Sequence, residues 1–148
     1  LFRSTPTFYS HYDSVADLME ELELVIGKNL FDRFAGDNYD PKHPFSQHNL
    51  TVVLAHIQEN QAFYRAYLSQ STAQIRLDWA FGQLLEQFVR PMLRSRSVSD
   101  QATECCFAFF RAGLTAVITR WVKNRCQESP EEITTYLGNL LAHPEFSF

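Results

Sequence analysis

The sequence predicts an all-α protein, a helical bundle of about six helices, and three observations support this prediction. The 148 residues are 45% hydrophobic and include only 5 Gly and 6 Pro, so few turns connect a small number of long elements. Apolar residues recur at steps of three and four along most of the chain, which is the period of an amphipathic helix. No segment shows the apolar–polar alternation that is typical of a half-buried strand.

The first long helix is predicted from Asp13 to Phe34. Asp13 or Ser14 can cap its start, because a side-chain oxygen there accepts a free backbone N–H of the first turn. A loop is expected from Gly36 to Pro44, since two prolines and a glycine occur within nine residues. The apolar face of the helix consists of Val15, Leu18, Met19, Leu22, Ile26, Leu30 and Phe34.

Two shorter helices and one interrupted helix are predicted next. Ser46 is the expected cap of the first short helix, and Asn60 is expected to separate it from the second. A longer segment begins at Ser71 or Thr72. Pro91 predicts a kink about one turn earlier in this segment, because proline lacks the N–H donor and clashes with the preceding turn.

The last two predicted helices carry the clearest patterns. From Asp100 to about Cys126 apolar residues occur on more than one face, which is typical of a helix buried on several sides. Ser129 can cap the final helix, with Pro130 at its first position and Glu132 three residues after the cap. Pro144 is expected to end this helix.

Composition and charge argue against several function classes. A net charge of -4 and a pI near 5.7 disfavour a free-standing, strongly basic nucleic-acid binder. No apolar stretch is expected to reach the ~20 residues of a transmembrane helix, because Arg111 and Arg120 interrupt the most apolar region. Because the sequence shows no signal peptide, nucleophile elbow, Gly-rich phosphate loop or paired-carboxylate motif, neither secretion nor enzymatic activity is expected.

The histidines and cysteines predict neither a metal site nor a cofactor. The five histidines show no His-x-x-x-His spacing, and no Cys-x-x-Cys accompanies them. Three cysteines, two of them adjacent at Cys105 and Cys106, make a disulfide framework improbable and favour a reducing, cytoplasmic setting. Cys126, beside Arg125, is a candidate redox sensor, and the alternative for all three thiols is inert burial.

Three regions of the chain resemble TetR-type bacterial transcriptional regulators. Near the N-terminus, residues 7–14 (TFYSHYDS) followed by 17–19 (DLM) resemble the end of the DNA-reading helix of that family. The C-terminal region carries residues 109–114 (FFRAGL), 118–124 (ITRWVKN) and 129–133 (SPEEI), and these are similar to one branch of these regulators. Residues 56–64 (HIQENQAFY) resemble the same branch.

The resemblance implies two parts of unequal length. Residues 1–13 are the expected remnant of the helix-turn-helix reading helix, and residues 14–148 the ligand-sensing and dimerisation domain. The family contacts DNA at the positions of Thr5, Thr7, Tyr9 and His11, but Val15 stands where it commonly has a lysine. Since the chain begins inside the reading helix, we expect a fragment that does not bind DNA specifically by itself.

A ligand pocket is the second implication of the resemblance, because members of this family sense small molecules. Pockets are mostly apolar with a few oriented polar groups, and the alternative is that the aromatics simply fill the core. The candidate ligand-binding residues are Phe63, Tyr67, Trp79, Gln83, Phe88, Phe107, Phe110 and Arg111.

A symmetric homodimer is the third implication, formed by the last two helices of each subunit. Apolar residues on several faces of the penultimate helix support it independently, since one face can serve the core and another the partner. The alternative is full burial of that helix within the monomer. The candidate interface residues are Leu114, Val117, Trp121, Ile133, Tyr136, Leu137, Leu140 and Leu141.

The sequence therefore predicts the effector and dimerisation domain of a TetR-type regulator. Ligand or partner binding is expected to shift the bundle, and the helix from Asp13 to Phe34 to pass that shift to the DNA-reading domain. Operator DNA is the expected partner of the intact protein. The alternative function is a protein-binding co-regulator of the same fold that lacks a small-molecule pocket.

Overall fold

The computed structural model describes residues 13–36, 40, 42–43 and 45–142, and it confirms the all-α class over these residues. Side chains excluded from the description are those of Ala73, Gln74, Leu77, Ala80, Phe81, Leu141 and Ala142. The helices are α1 (Val15–Gly36), α2 (Gln47–Glu59), α3 (Gln61–Leu68), α4 (Ala73–Leu84), a π-helical turn (Leu85–Val89), α5 (Arg90–Ser95), α6 (Asp100–Lys123) and α7 (Pro130–Ala142). The predicted helix at the start of the chain and the end signal at Pro144 lie outside the described residues.

Side-chain caps begin three of these helices at the predicted residues. The Ser14 hydroxyl accepts the Asp17 N–H at 3.2 Å, and the Ser46 hydroxyl accepts the Asn49 N–H at 3.2 Å. At α7, Ser129 and Glu132 exchange the two bonds of a capping box, of 2.7 and 3.1 Å. These contacts satisfy backbone donors that a helix start otherwise leaves unpaired, so the sequence positions each start locally.

The interruption predicted from Pro91 is the π-helical turn between α4 and α5. Pro91 occupies the first turn of α5, and its ring lacks the N–H that would continue the ladder to Gln87. A π turn widens the helix by one residue, and such turns are frequent at functional sites. It points the side chains of Leu85 and Val89 into the core.

Helix α6 differs from its prediction in length and in apolar character. It ends at Lys123 rather than near Cys126, because Arg125 and Cys126 adopt positive φ values of 59° and 48° that turn the chain toward α7. Its most apolar 18-residue stretch has a mean hydropathy of 1.3, so by length and composition alone α6 could cross a membrane, which corrects the expectation that no such stretch exists. It packs against α3 and α4, and its Trp121 is fully buried, although only 28% of its most apolar stretch is buried.

The core consists of two clusters of buried side chains. The larger cluster surrounds Trp121 and joins α1, α2, α3, α6 and α7. Trp121 is 0% exposed, and its indole N–H donates to the Glu128 carbonyl at 2.9 Å. The smaller cluster is formed by Leu85, Val89 and Phe107, where the π turn meets α6.

Candidate functional site

An apolar cavity of about 60 Å³ lies between the two core clusters. It exceeds the space that one water needs but is far below the ~300–1,000 Å³ of pockets for drug-sized ligands. Every side chain that lines it is hydrophobic, so its chemistry suits an apolar group. The lining residues are Phe34, Phe45, Leu50, Val53, Leu54, Leu84, Leu85, Phe88, Val89, Leu114, Ile118 and Leu137.

The wall of the cavity connects the π turn to α1. Phe88, on the π turn, packs edge-on against Phe34 with ring centroids 4.8 Å apart and lies 5.7 Å from the ring of Phe31. Edge-to-face and tilted aromatic pairs at these separations are attractive contacts. A change in the volume of the cavity that moves Phe88 therefore acts directly on α1.

A polar junction connects α1 to the other side of the bundle. The Tyr67 hydroxyl on α3 donates to one carboxylate oxygen of Glu23 at 3.0 Å, and Arg76 on α4 pairs with the other at 2.9 Å. Burial, together with the hydrogen bond to Glu23, raises the pKa of the Tyr67 phenol. Tyr67 therefore stays protonated as a donor, and one carboxylate of α1 joins α3 and α4.

Of the candidate ligand-binding residues, the structure places only Phe88 at the cavity. Phe63 and Tyr67 stack within the larger core cluster with ring centroids 5.5 Å apart. Phe107 and Phe110 belong to the smaller cluster. These residues contribute to the core, where a large aromatic surface stabilises the packing between helices.

The structure does not bring the remaining three candidates together with Phe88. Trp79 is 65% exposed, Gln83 is exposed, and Arg111 is exposed and pairs with Asp78 at 3.3 Å. Their helical spacing matches that of inward-facing residues, but the structure leaves them at the surface. The sequence analysis missed the aliphatic wall residues such as Leu50 and Leu84. An apolar stripe has the same sequence pattern whether its helix faces a cavity or a filled core.

The candidate dimer residues differ in how far their side chains are exposed to solvent. Tyr136 and Leu140 are 57% and 48% exposed on one face of α7, while Val117, Leu114 and Leu137 are half-buried. On α6 the space beside Gly113 that a side chain would occupy is free of atoms from the other described elements, so this surface is open. Phe109, which the prediction did not include, is 60% exposed on the same helix.

Two members of that set are corrected by the structure. Trp121 and Ile133 are 0% and 4% exposed, because they fill the core of their own chain and leave no surface for a partner to contact. Their spacing along the helices is compatible with either the core-facing or the solvent-facing side. Only the packing of the helices against one another shows which side each residue occupies. The side chain of Leu141 lies outside the described residues, as do the candidate DNA-contact residues Thr5, Thr7, Tyr9 and His11.

Cysteine and metal-ligand chemistry has little support in the described part of the chain. Cys105 is exposed, Cys106 is half-buried and Cys126 is buried. Burial raises the pKa of the Cys126 thiol, which disfavours the reactive thiolate. Among the described residues, no group of three or more His, Cys, Asp and Glu side chains is arranged to hold a metal ion.

The buried His56 predicts a dependence of stability on pH. Its side chain is 3% exposed, its Nε2 has no hydrogen-bond partner among the described residues, and burial lowers its pKa below the ordinary 6.5. As the pH falls below 6.5, the unfolded chain therefore binds a proton that the folded chain resists, which favours unfolding. We expect the melting temperature to decrease between pH 7.5 and 5.5, and His56→Gln to weaken that decrease.

The exposed His48 provides the matched control for this pH measurement. His48→Gln should leave the pH dependence close to that of the parent chain. An equal weakening by both substitutions would mean that the dependence does not originate in the burial of His56.

A protein-family comparison identifies the class of this chain. The family TetR_C_8, described as a transcriptional regulator C-terminal region, matches residues 46–143. Neither a curated protein nor a solved structure matches significantly. The matched range contains all of α2 to α7, including the Glu-Asn and Ser-Pro-Glu-Glu segments on which the predicted resemblance rested. The chain therefore belongs to the TetR-type transcriptional regulators, and its residues 46–143 correspond to their C-terminal region.

Proposed function

We propose that this chain is the effector-sensing and dimerisation part of a cytoplasmic TetR-type regulator, which acts as a homodimer on operator DNA. The observation that carries the proposal is the apolar cavity, since α1, α2, the π turn, α6 and α7 all contribute to its wall. A regulator needs an effector that binds one arrangement of the bundle better than another. Because several helices line this cavity, a ligand that fills it would change how those helices pack against one another.

The coupling to DNA is proposed to run through α1. An apolar ligand group larger than the cavity must displace part of its wall, and Phe88 on the π turn is in contact with Phe34 and Phe31 of α1. The junction of Glu23 with Tyr67 and Arg76 holds the earlier part of α1 in place. Movement of Phe88 would then pivot α1 about this junction, which shifts the chain that precedes it.

The alternative function is a protein-binding co-regulator of the same fold without a small-molecule pocket. The small volume of the cavity favours this alternative, because about 60 Å³ does not hold a drug-sized molecule without rearrangement. A panel of apolar small molecules in a thermal-shift measurement distinguishes the two. A ligand present at about 100 times its Kd should stabilise the fold by about 2.7 kcal/mol, and the absence of any shift favours the co-regulator.

A cavity-filling variant tests where such a ligand binds. Val53→Phe places a ring into the cavity wall, so we expect the thermal shift by the best ligand to be lost. The added volume should cost about 1–3 kcal/mol of stability through overpacking. Circular dichroism verifies that the variant folds, and the ligand-dependent change in melting temperature is the readout.

Val25→Phe is the control, because Val25 is half-exposed on α1 and does not line the cavity. It should retain the full ligand-dependent shift. A shift that survives in Val53→Phe would place the effector outside the cavity and contradict this part of the proposal.

The dimer is proposed to use the exposed surface of α6 and α7. This surface, defined here by Gly113, Val117, Tyr136 and Leu140, combines an open glycine with apolar side chains that remain partly accessible in the single chain. An apolar face of this kind is typical of a symmetric interface, where each residue contributes twice.

A further inference from the structure

We propose that Arg90 controls the position of the cavity wall, because its side chain clamps the π turn to α6 and so holds Phe88 against α1. Three of the five residues of the π turn, Leu85, Phe88 and Val89, line the apolar cavity. The position of the turn therefore sets the shape of this part of the wall. The regulatory role of the clamp rests on the proposed function, in which occupancy of the cavity moves α1.

The main chain of Arg90 closes the π turn. Its N–H donates to the Leu85 carbonyl five residues earlier, whereas in an α-helix it would donate to the carbonyl of Glu86. Pro91 follows directly and has no N–H, so the main chain offers no further bond of this kind after Arg90. Because π turns are rare within α-helices, a side-chain contact at the same residue is a direct means of holding this one in place.

The side chain of Arg90 binds carboxylates on two different elements. Its Nε and Nη2 donate to the two carboxylate oxygens of Glu86 on the π turn at 2.5 and 2.6 Å, and Nη2 also lies 2.8 Å from Glu104 of α6. The guanidinium lies over the ring of Phe107, 4.8 Å from its centroid. The Arg90 side chain is only 16% exposed, and bidentate pairs joined in a network are stronger than isolated surface ion pairs. We call these four residues the Arg90 clamp.

The opposite side of the π turn contacts α1. Phe88 packs against Phe34 with ring centroids 4.8 Å apart and lies 5.7 Å from the ring of Phe31. Two residues along a helix correspond to a rotation of about 200°, so Phe88 and Arg90 leave the turn on nearly opposite sides. One short turn therefore connects α6 with α1, and release of the Arg90 clamp would remove the support that holds Phe88 against α1.

The Arg90 clamp gives the bundle two arrangements, one with the clamp closed and one with it open. An apolar ligand group larger than the cavity must displace the π turn, and this displacement would separate Arg90 from Glu104. A ligand that binds only the open arrangement shifts the population toward it. Loss of the clamp should therefore affect α1 in the same way as the ligand does.

Amide hydrogen exchange of the 148-residue chain tests whether release of the clamp reaches α1. We expect Arg90→Gln to speed the exchange of residues 30–36 in α1 by roughly three- to tenfold, in addition to that of the π turn. Glu104→Gln should act in the same direction, and because this side chain is 64% exposed the variant should fold normally. The exposed Arg94→Gln on α5 is the charge-matched control and should leave α1 at the parent rate. Faster exchange that is confined to the π turn and α5 overturns the inference.

A double-mutant cycle measured by urea unfolding tests whether Phe88 carries the coupling. Phe34→Leu removes the edge contact with the Phe88 ring, so its effect and that of Arg90→Gln on the unfolding constant should be non-additive by roughly three- to tenfold. In a Phe88→Leu background the same two effects should be additive within about twofold. Additivity in the parent chain, or a coupling that persists without the Phe88 ring, overturns the inference. Because neither measurement uses a ligand, a failure of small molecules to bind would count against the proposed function alone.

Discussion

Replacing Trp121 by alanine is expected to lower the free energy of unfolding by about 3–5 kcal/mol. Its side chain is fully enclosed at the centre of the larger core cluster, so the substitution leaves a cavity that neighbouring helices cannot close without moving. It also removes the donor to the Glu128 carbonyl, which helps to hold the turn between α6 and α7. Urea unfolding followed by circular dichroism measures the loss.

Trp79→Ala is the matched control, since Trp79 is 65% exposed on α4. Surface substitutions of this kind change stability by about 0.5 kcal/mol or less. A total stability of about 5–15 kcal/mol is typical of a domain, so the Trp121 variant should be close to unfolding under mild conditions. Equal losses for the two tryptophans would show that the packing around Trp121 is not as described.

Introducing a charge at Leu140 is expected to dissociate the proposed homodimer. Leu140→Glu places a carboxylate into the apolar surface of α7 twice, once from each subunit, because a symmetric interface contains every residue in duplicate. A loss of about 2 kcal/mol per copy is typical of an interface hot spot, and two copies raise the dimer Kd roughly a thousandfold. Sedimentation velocity over a range of concentrations measures the change.

Leu24→Glu on α1 is the corresponding control, because Leu24 is 70% exposed and lies outside the proposed dimer surface. Its sedimentation should match that of the parent chain. The helical content of Leu140→Glu should also be unchanged, since Leu140 is already 48% exposed within the single chain. A Leu140→Glu protein that remains dimeric at all concentrations would contradict the assignment of α7 to the interface.

Local signals in the sequence predicted most of the helix boundaries. Ser46 and Ser129 cap their helices through bonds that reach only three residues along the chain. Pro91 produced an interruption about one turn before itself, although the sequence did not show that it would be a π turn. The end of α6 was less predictable, because it depends on the positive φ of Arg125 and Cys126, and glycine is the usual signal for that conformation.

The sequence predicted the apolar character of the candidate site but not the residues that form it. An apolar, aromatic-rich bundle follows from the composition and the helical period, while the pocket was an implication of the family resemblance, and the aromatic residues chosen as its wall lie mainly elsewhere. Tyr67 and Phe107 fill the core, Trp79 is exposed, and aliphatic residues such as Leu50 form the wall. A helical period indicates that a residue faces inward, and it does not indicate which neighbouring helix fills the space opposite.

The sequence by itself determined the all-α class, the capped starts, the break before Pro91 and the membership of the TetR-type regulators. These features depend on residues within a few positions of one another, or on motifs that are contiguous in the chain. The tertiary structure alone decided that Trp121 lies in the core rather than at a partner surface, that Phe88 contacts α1, and that Tyr67 donates to Glu23 of α1. Burial and contact are properties of pairs of helices, because the exposure of a side chain depends on the element that packs against it.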